Sequence, residues 1–363
     1  MEGLGVNGLV TGLQGLRGRK VFVTGHTGFK GAWLCNWLVE LGCEVTGYAL
    51  APANTPTLYA LSGVGAKLRA SHEADIRDRP ALQAAMRASG AELVLHLAAQ
   101  SLVRPGYADP AGTWATNVMG TVNVLEAVRA CDQVQAVVVV TTDKCYDNQE
   151  WAWGYRETDR LGGRDPYSAS KAGAEIVTHS YRESFLAGAG VLVASARAGN
   201  VIGGGDWNED RLVADAARAF AAGSALQVRN ASATRPWQHV LDCLSGYLQL
   251  AARLLQGDSA CARAFNFGPD ADSVVTVGRL LDQLSGHWPG LRWEHARTDA
   301  GAPHESTLLS LDPTLARTVL DWQPRWNLEQ ALRATADWYL GVSRDESRAA
   351  ALTQQQISEY ARA

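Results

Sequence analysis

The residues "TTDKCYDN", Thr141 to Asn148, follow an unbroken apolar run, Val137 to Val140. Two hydroxyls end that run, and a carboxylate, Asp143, stands directly beside an amine, Lys144. An acid next to a base at a strand end is equipment for general acid–base catalysis. On a solvated surface the same pair is a plain ion pair, contributing about 0–1 kcal/mol. A second pair lies in "DPYSASKAGAEIV", where Tyr167 and Lys171 stand four residues apart and share a helix face. An ammonium there lowers the pKa of the phenol, which starts at about 10. A tyrosine so tuned can take a hydroxyl proton while hydride leaves the same carbon.

Elements that could position these groups surround them. From Lys20 to about Leu192, short apolar runs ("KVFVTG", "EVTGYAL", "AELVLHLAA", "AVVVVTT") alternate with amphipathic stretches such as "TWATNVMGTVNVLEAVRAC". That alternation predicts an α/β fold with a doubly wound parallel sheet. The strands are nearly continuous in apolar residues, as a sheet covered on both faces requires. After about Asn200 the texture changes to helical stretches mixed with short strands, "ALQVRN" and "AFNFGP", which predicts a smaller mixed lobe.

The first strand runs into "TGHTGFKG", where Gly25, Gly28 and Gly31 are spaced G-x-x-G-x-x-G before a helix. Glycine there allows a sharp turn and close approach to a pyrophosphate, and the helix N-terminus offers N–H groups to it. Thr27, Phe29 and Lys30 of the same loop are candidate cofactor contacts. The second strand ends "GYALAP", with no carboxylate for a ribose and no Arg or Lys for a 2′-phosphate. NAD is therefore expected, its ribose contact unassigned. Asp75 and Ile76 in "ADIRD" are expected at the adenine edge. Leu97, Ala98, Ala99 and Gln100 of "HLAAQS", with Thr116, complete the expected cofactor wall.

The chain has 363 residues, 47% of them hydrophobic, and a net charge of −4 without a basic block. At about 100–200 residues per domain, this is two domains or one with a lobe. The expected division is a flexible extension 1–18, a dinucleotide-binding domain 19–199, a mainly substrate-binding lobe 200–345 and a tail 346–363. The charge argues against nucleic acid as partner. No apolar run reaches the roughly 20 residues of a membrane span, so no membrane partner is expected. Six scattered cysteines, with no C-x-x-C, read as free thiols in the cytoplasm, and no metal site is expected. Twelve Trp point to core packing, with some rings available to a ligand pocket. His26 beside the glycine loop is not expected to bind metal, and His96, on an apolar strand, reads as a satisfied core histidine.

In their order along the chain, "TGHTGFKG", "HLAAQS", the Thr142 strand end and "YSASK" resemble the extended short-chain dehydrogenase/reductases, over roughly Lys20 to Leu340. Within that family, "TTDKCYDNQEWAWGYRETDRLGGRDPYSASK" and "RPWQHVLDCLSGYLQLA" resemble the 4,6-dehydratases that act on CDP-glucose. The related dTDP-glucose enzymes carry Asp-Glu where this chain has Asp143-Lys144. The resemblance implies that Tyr167 takes the 4-OH proton, Lys144 the C5 proton, and Asp143 protonates the departing 6-OH. Thr142 would bond the 4-oxygen. NAD would stay bound, because it is regenerated in each turnover. The resemblance further implies substrate contacts from Ser101, Arg104, Asn200, Arg211, Arg235, Trp237 and His304. His304 and Glu305 would close the pocket, and Trp237 would pack near the base or fill the core. It also implies a homodimer or homotetramer, paired through helices starting near Thr113 and Tyr167. A sugar-nucleotide 4-epimerase would keep Tyr167 and Lys171 but gives no reason for Asp143-Lys144. A non-catalytic NAD-binding redox sensor of this family often lacks the Tyr or Lys, and both are present here, while a 4,6-dehydratase acting on another nucleotide hexose stays open.

Overall fold

Branched apolar residues facing both ways fill the central strands, and a parallel sheet with helices on each side is the arrangement that buries them. The computed structural model describes residues 12–52, 55–296 and 308–363. β1 (Lys20–Thr24), β2 (Glu44–Ala49), β3 (Ala70–Glu73), β4 (Leu93–His96), β5 (Ala136–Val140) and β6 (Leu192–Ala198) pair in parallel, in the order β3-β2-β1-β4-β5-β6. This is the expected doubly wound sheet. On one face Val21, Val23, Leu95 and Val138 pack with Trp33 and Trp37 of the helix Phe29–Glu40. On the other, Phe22, Val94, Val137 and Val139 pack with Leu125 and Val128 of the helix Gly120–Arg129. Each such side chain taken from water contributes about 1.5–3 kcal/mol, so both faces of β5 favour the interior.

The remaining strands are β7 (Asn200–Ile202), β8 (Leu226–Val228), β9 (Thr234–His239), β10 (Ala264–Phe267), β11 (Val274–Thr276) and β12 (Trp293–His295). β7, β9 and β11 form a three-stranded sheet, and β8 pairs with β12. Here the structure corrects the sequence reading. "AFNF" is not a lobe strand: β10 joins the main sheet beside β6, with Ala264 opposite Ser195. The helix Val240–Leu255 carries the chain back across β5 and β6. Pairing between strands so far apart leaves no local mark in the sequence.

Both expected loose ends differ too. Leu13 and Leu16, in the supposed extension, are buried in the main core, while residues 1–11 lie outside the described residues. The supposed tail is a helix, Ala349–Arg362, whose Ile357 and Tyr360 are buried. The Tyr360 hydroxyl donates to Asp242 at 2.6 Å, and burial pushes that carboxyl up to about 6. No described helix is long and apolar enough to cross a membrane.

Two local features aim the reactive groups. The helix Pro166–Tyr181 begins where Asp165 accepts from the Ser168 N–H at 3.0 Å, with Pro166 at the first position. Such a cap contributes about 1 kcal/mol and fixes the start, placing Tyr167 in the first turn and Lys171 in the next. The helix before β5 carries a π turn, Ala115–Met119, a form frequent at functional sites. Thr116, in that turn, faces the cleft described next.

Candidate active site

A cleft of about 820 Å³ opens at the C-terminal ends of β1, β2, β4, β5 and β6. Ligands of doubly wound sheets bind at that edge, where the strand order reverses between β1 and β4. Its size suits a small-molecule site of about 300–1,000 Å³.

The glycine loop forms one end. Gly25 has φ +75°, and a Cβ there would lie 2.7 Å from the Ala98 nitrogen. A Cβ on Gly31 would overlap the Gly25 carbonyl oxygen. No side chain caps the helix at Gly28, so its first N–H groups and positive end remain for a phosphate. Thr24 Oγ1 accepts from the N–H groups of Leu97 and Ala98 at 3.2 Å, joining the ends of β1 and β4. His96 sits between Thr24 at 2.7 Å and Thr121 at 3.1 Å, with both ring nitrogens partnered. Thr27 donates to the Leu50 carbonyl, and Arg77 grips Asp75 and lowers its pKa. Leu50, Ala51 and Pro52 line the cleft where a ribose-binding carboxylate would stand.

Most expected residues meet on this wall. Gly25, Thr27, Gly28, Phe29, Lys30, Gly31, Asp75, Ile76, Leu97, Ala98, Ala99 and Thr116 line it at the glycine-loop end. Ser101, Arg104, Thr142, Lys144, Tyr167, Lys171, Asn200, Arg211 and Arg235 line the rest. Gln100 does not: its side chain bonds Thr113 and the Leu102 N–H, bracing the loop instead. Trp237 is buried in the core, with its indole N–H directed at the Val275 carbonyl. It borders only a smaller neighbouring cavity. His304 and Glu305 lie outside the described residues.

The acid–base stretch is arranged in depth. Thr142 and Lys144 face the cleft, whereas Asp143 is fully buried behind them. Asp143 Oδ1 accepts from Thr142 at 3.0 Å and from Lys144 Nζ at 3.3 Å. Its Oδ2 is buried with no partner among the described residues. Burial pushes the Tyr167 phenol up to about 12, against the pull of Arg211 and of a hydrogen bond with Thr142. The expected lowering does not come from Lys171, whose amine donates instead to the Val140 carbonyl at 3.3 Å. Burial, with Lys30 nearby, lowers Lys171 to about 8.

Several wall residues were not foreseen. Tyr146, Asn148 and Glu150 continue the acid–base stretch along the cleft. Asp210 spans it, 3.3 Å from Arg104 and 3.8 Å from Arg229. "NEDRLVAD" reads as helical throughout, but the helix starts only at Leu212 and leaves Asp210 in the loop at φ 59°.

A reversing parallel sheet, a glycine loop at its edge and a Tyr-x-x-x-Lys pair on the facing helix define an extended short-chain dehydrogenase/reductase fold. Residues 22–335 match the family model described as GDP-mannose 4,6 dehydratase. The chain belongs to this nucleotide-sugar 4,6-dehydratase family of hydro-lyases. A CDP-glucose 4,6-dehydratase of Salmonella typhimurium is 44% identical over 349 residues, 95% of this chain and 96% of that one. A dTDP-glucose 4,6-dehydratase of Xanthomonas campestris is 26% identical over 345 residues, 88% of this chain and 92% of that one. Among solved structures, a dTDP-glucose 4,6-dehydratase from Bacillus anthracis in complex with NAD shares the fold. It has a TM-score of 0.75 at 21% identity, over 90% of this chain and 98% of that one.

Proposed function

We propose that the protein removes water from CDP-glucose to give CDP-4-keto-6-deoxyglucose, with NAD as its resident cofactor. The observation that carries this reading is the end of β5. There Thr142, Asp143 and Lys144 stand as a hydrogen-bonded set beside Tyr167, in a cleft with a pyrophosphate-type glycine loop. The choice of cytidine is supported by the 44% identical relative named for CDP-glucose.

The glycine loop fits NAD, because Gly25 and Gly31 permit the tight strand-to-helix turn and the uncapped helix start at Gly28 leaves N–H groups for its pyrophosphate. Gly25, Gly28 and Gly31 would hold its pyrophosphate, Asp75 and Ile76 its adenine side, and Ala98, Ala99 and Thr116 the passage to the reacting end. When bound, NAD would accept hydride from C4 and return it to C6, and its cationic ring would help lower the Tyr167 phenol. Tyr167 takes the 4-OH proton, with Thr142 bonded to the same oxygen. The new ketone acidifies C5–H; Lys144, neutral once its proton has passed to Asp143 along their hydrogen bond, removes the C5 proton and, after exchange with water, returns one to C5 as hydride reaches C6. Asp143 supplies a proton to the leaving 6-OH; from behind Thr142, it reaches that oxygen only through the Thr142 hydroxyl or a small shift. Arg211, Arg235, Arg104, Asn200 and Ser101 would hold the diphosphate and sugar, Arg by its planar donor fork.

Incubated anaerobically with CDP-glucose and no added cofactor, the purified protein should form the 4-keto-6-deoxy product, which absorbs in alkali. Turnover that requires added NADP, or that occurs only with another nucleotide hexose, would contradict the reading.

A homodimer or homotetramer accords with the outer faces of two neighbouring helical segments. Trp114 and Met119 on one, and Ile176 and Phe185 on the other, are large, apolar and exposed. Ile176 is 59% exposed in the middle of its helix, where pairing with a second copy would cover it. Sedimentation equilibrium should give a dimer or tetramer, and Ile176→Glu should shift it toward monomer. A wild-type monomer at micromolar concentration would overturn this.

A further inference from the structure

Beneath the acid–base stretch lies a buried ion pair to which the proposed chemistry assigns no proton. Glu175 and Arg197 are each 3% exposed, and Arg197 donates to Glu175 Oε2 at 2.8 Å. Tyr167, Lys171 and Glu175 recur every fourth residue on one helix and share a face. Glu175 Oε1 accepts from the Thr141 hydroxyl, and Oε2 accepts from Ser195 at 2.7 Å. Arg197, on β6, donates to the Tyr146 hydroxyl at 2.8 Å and to the Glu157 carbonyl at 3.1 Å. Its guanidinium lies 5.1 Å from the centre of the Tyr146 ring. The Tyr146 hydroxyl in turn donates to Asn266 of β10 at 2.8 Å. One charge pair therefore holds both ends of the stretch 141–146, and the proposed acid and base lie between.

Stability alone does not account for such a pair. Two buried ions give little net stabilisation over apolar residues of similar volume, because desolvation offsets their attraction. What a pair tied by this many hydrogen bonds adds is fixed geometry. We infer that Glu175 and Arg197 are positioning residues for elimination, locking Thr142, Asp143 and Lys144 to the helix that carries Tyr167 and Lys171. The inference rests on the dehydratase reading. The helix has anchors of its own: the Asp165 cap, and Ser170 bonded to Asn117 at 2.8 Å. Loss of the pair should thus loosen the acid–base stretch and leave Tyr167 and Lys171 in place. C4 oxidation would continue while loss of water slows, since a misplacement of about 1 Å costs about 10²-fold.

The test compares Glu175→Gln and Tyr146→Phe with wild type in single turnovers with CDP-glucose. The rise of reduced-nicotinamide absorbance reports oxidation, and its decay reports elimination and return. The expected result is a rise within a few-fold of wild type and a decay slowed at least about 10-fold, by the same misplacement argument. Amide hydrogen exchange should quicken across 141–146 but not across 167–174. Rise and decay slowed equally, an unchanged ratio of the two, or unchanged exchange across 141–146 would overturn the inference. If Glu175→Gln does not fold, Tyr146→Phe, which removes a single hydroxyl, carries the comparison. If wild type makes no keto-deoxy product, the dehydratase reading fails, and the exchange measurement still decides whether the pair holds the stretch.

Discussion

Lys144→Met and Asp143→Asn should stop the reaction halfway, with the sugar oxidised at C4 and water not yet lost. Lys144→Met removes the amine and keeps a long apolar stem on the cleft wall. Asp143→Asn keeps the shape of a fully buried side chain, and its amide can still accept from Thr142. Tyr167, Lys171 and Thr142 remain in both, so the 4-OH can still be oxidised. Elimination should slow by about 10²-fold or more if each group does general acid–base work. Both variants should accumulate reduced-nicotinamide absorbance and the 4-keto-glucose nucleotide. Solvent deuterium should enter C5 more slowly in Lys144→Met, whose assigned step is C5 deprotonation. In Asp143→Asn that exchange should survive, because only departure of the 6-OH is impaired. Substrate affinity is checked first. Dehydration at wild-type rates in both variants would reduce the pair to an ion pair at a strand end and bring the epimerase reading forward.

Tyr167→Phe should fail one step earlier. The ring stays in its buried place and only the proton-accepting oxygen is lost, so substrate binding should persist. Burial holds this phenol up at about 12, so it accepts a proton only when nearby charge favours the phenolate. Arg211 and the Thr142 hydrogen bond already act in that direction. Without the oxygen, no group is left to take the 4-OH proton, and oxidation should slow by about 10²–10⁴-fold. No reduced-nicotinamide absorbance should build up on adding substrate, in contrast to the Lys144 and Asp143 variants. Near wild-type appearance of that absorbance would remove Tyr167 from the role of base.

The two variant classes rest on features of unequal legibility in the sequence. The glycine loop, the strands β1, β2, β4 and β5 and the Tyr167–Lys171 spacing are local patterns, and local patterns survive in a sequence. Glu175 and Arg197 were invisible: in "AGAEIV" and "SARAGN" they look like ordinary polar residues, and only the packing of the Tyr167 helix on β5 and β6 joins them. β10 was misplaced for a related reason, since its partner, β6, lies far back along the chain. Leu13, Leu16 and the last helix read as loose ends because their apolar residues are sparse. Each nonetheless fills a gap in the main core. The depth of Asp143 was also hidden. The strand ends at Val140 and Asp143–Cys145 forms a short 3-10 turn that tucks Asp143 inward while Thr141, Thr142 and Lys144 reach the cleft. The sequence gives the Tyr167–Lys171 spacing without burial, and at Tyr167 burial dominates, opposed by Arg211 and the Thr142 hydrogen bond.

The central claim is that one site oxidises C4 and reduces C6 of the same sugar. CDP-glucose carrying deuterium at C4, converted by the protein in ordinary water, tests this most directly. The account predicts a 4-keto-6-deoxy product with the deuterium at C6 and a solvent proton at C5. Deuterium lost to water, or a product that keeps it at C4 with the configuration inverted, would contradict the account.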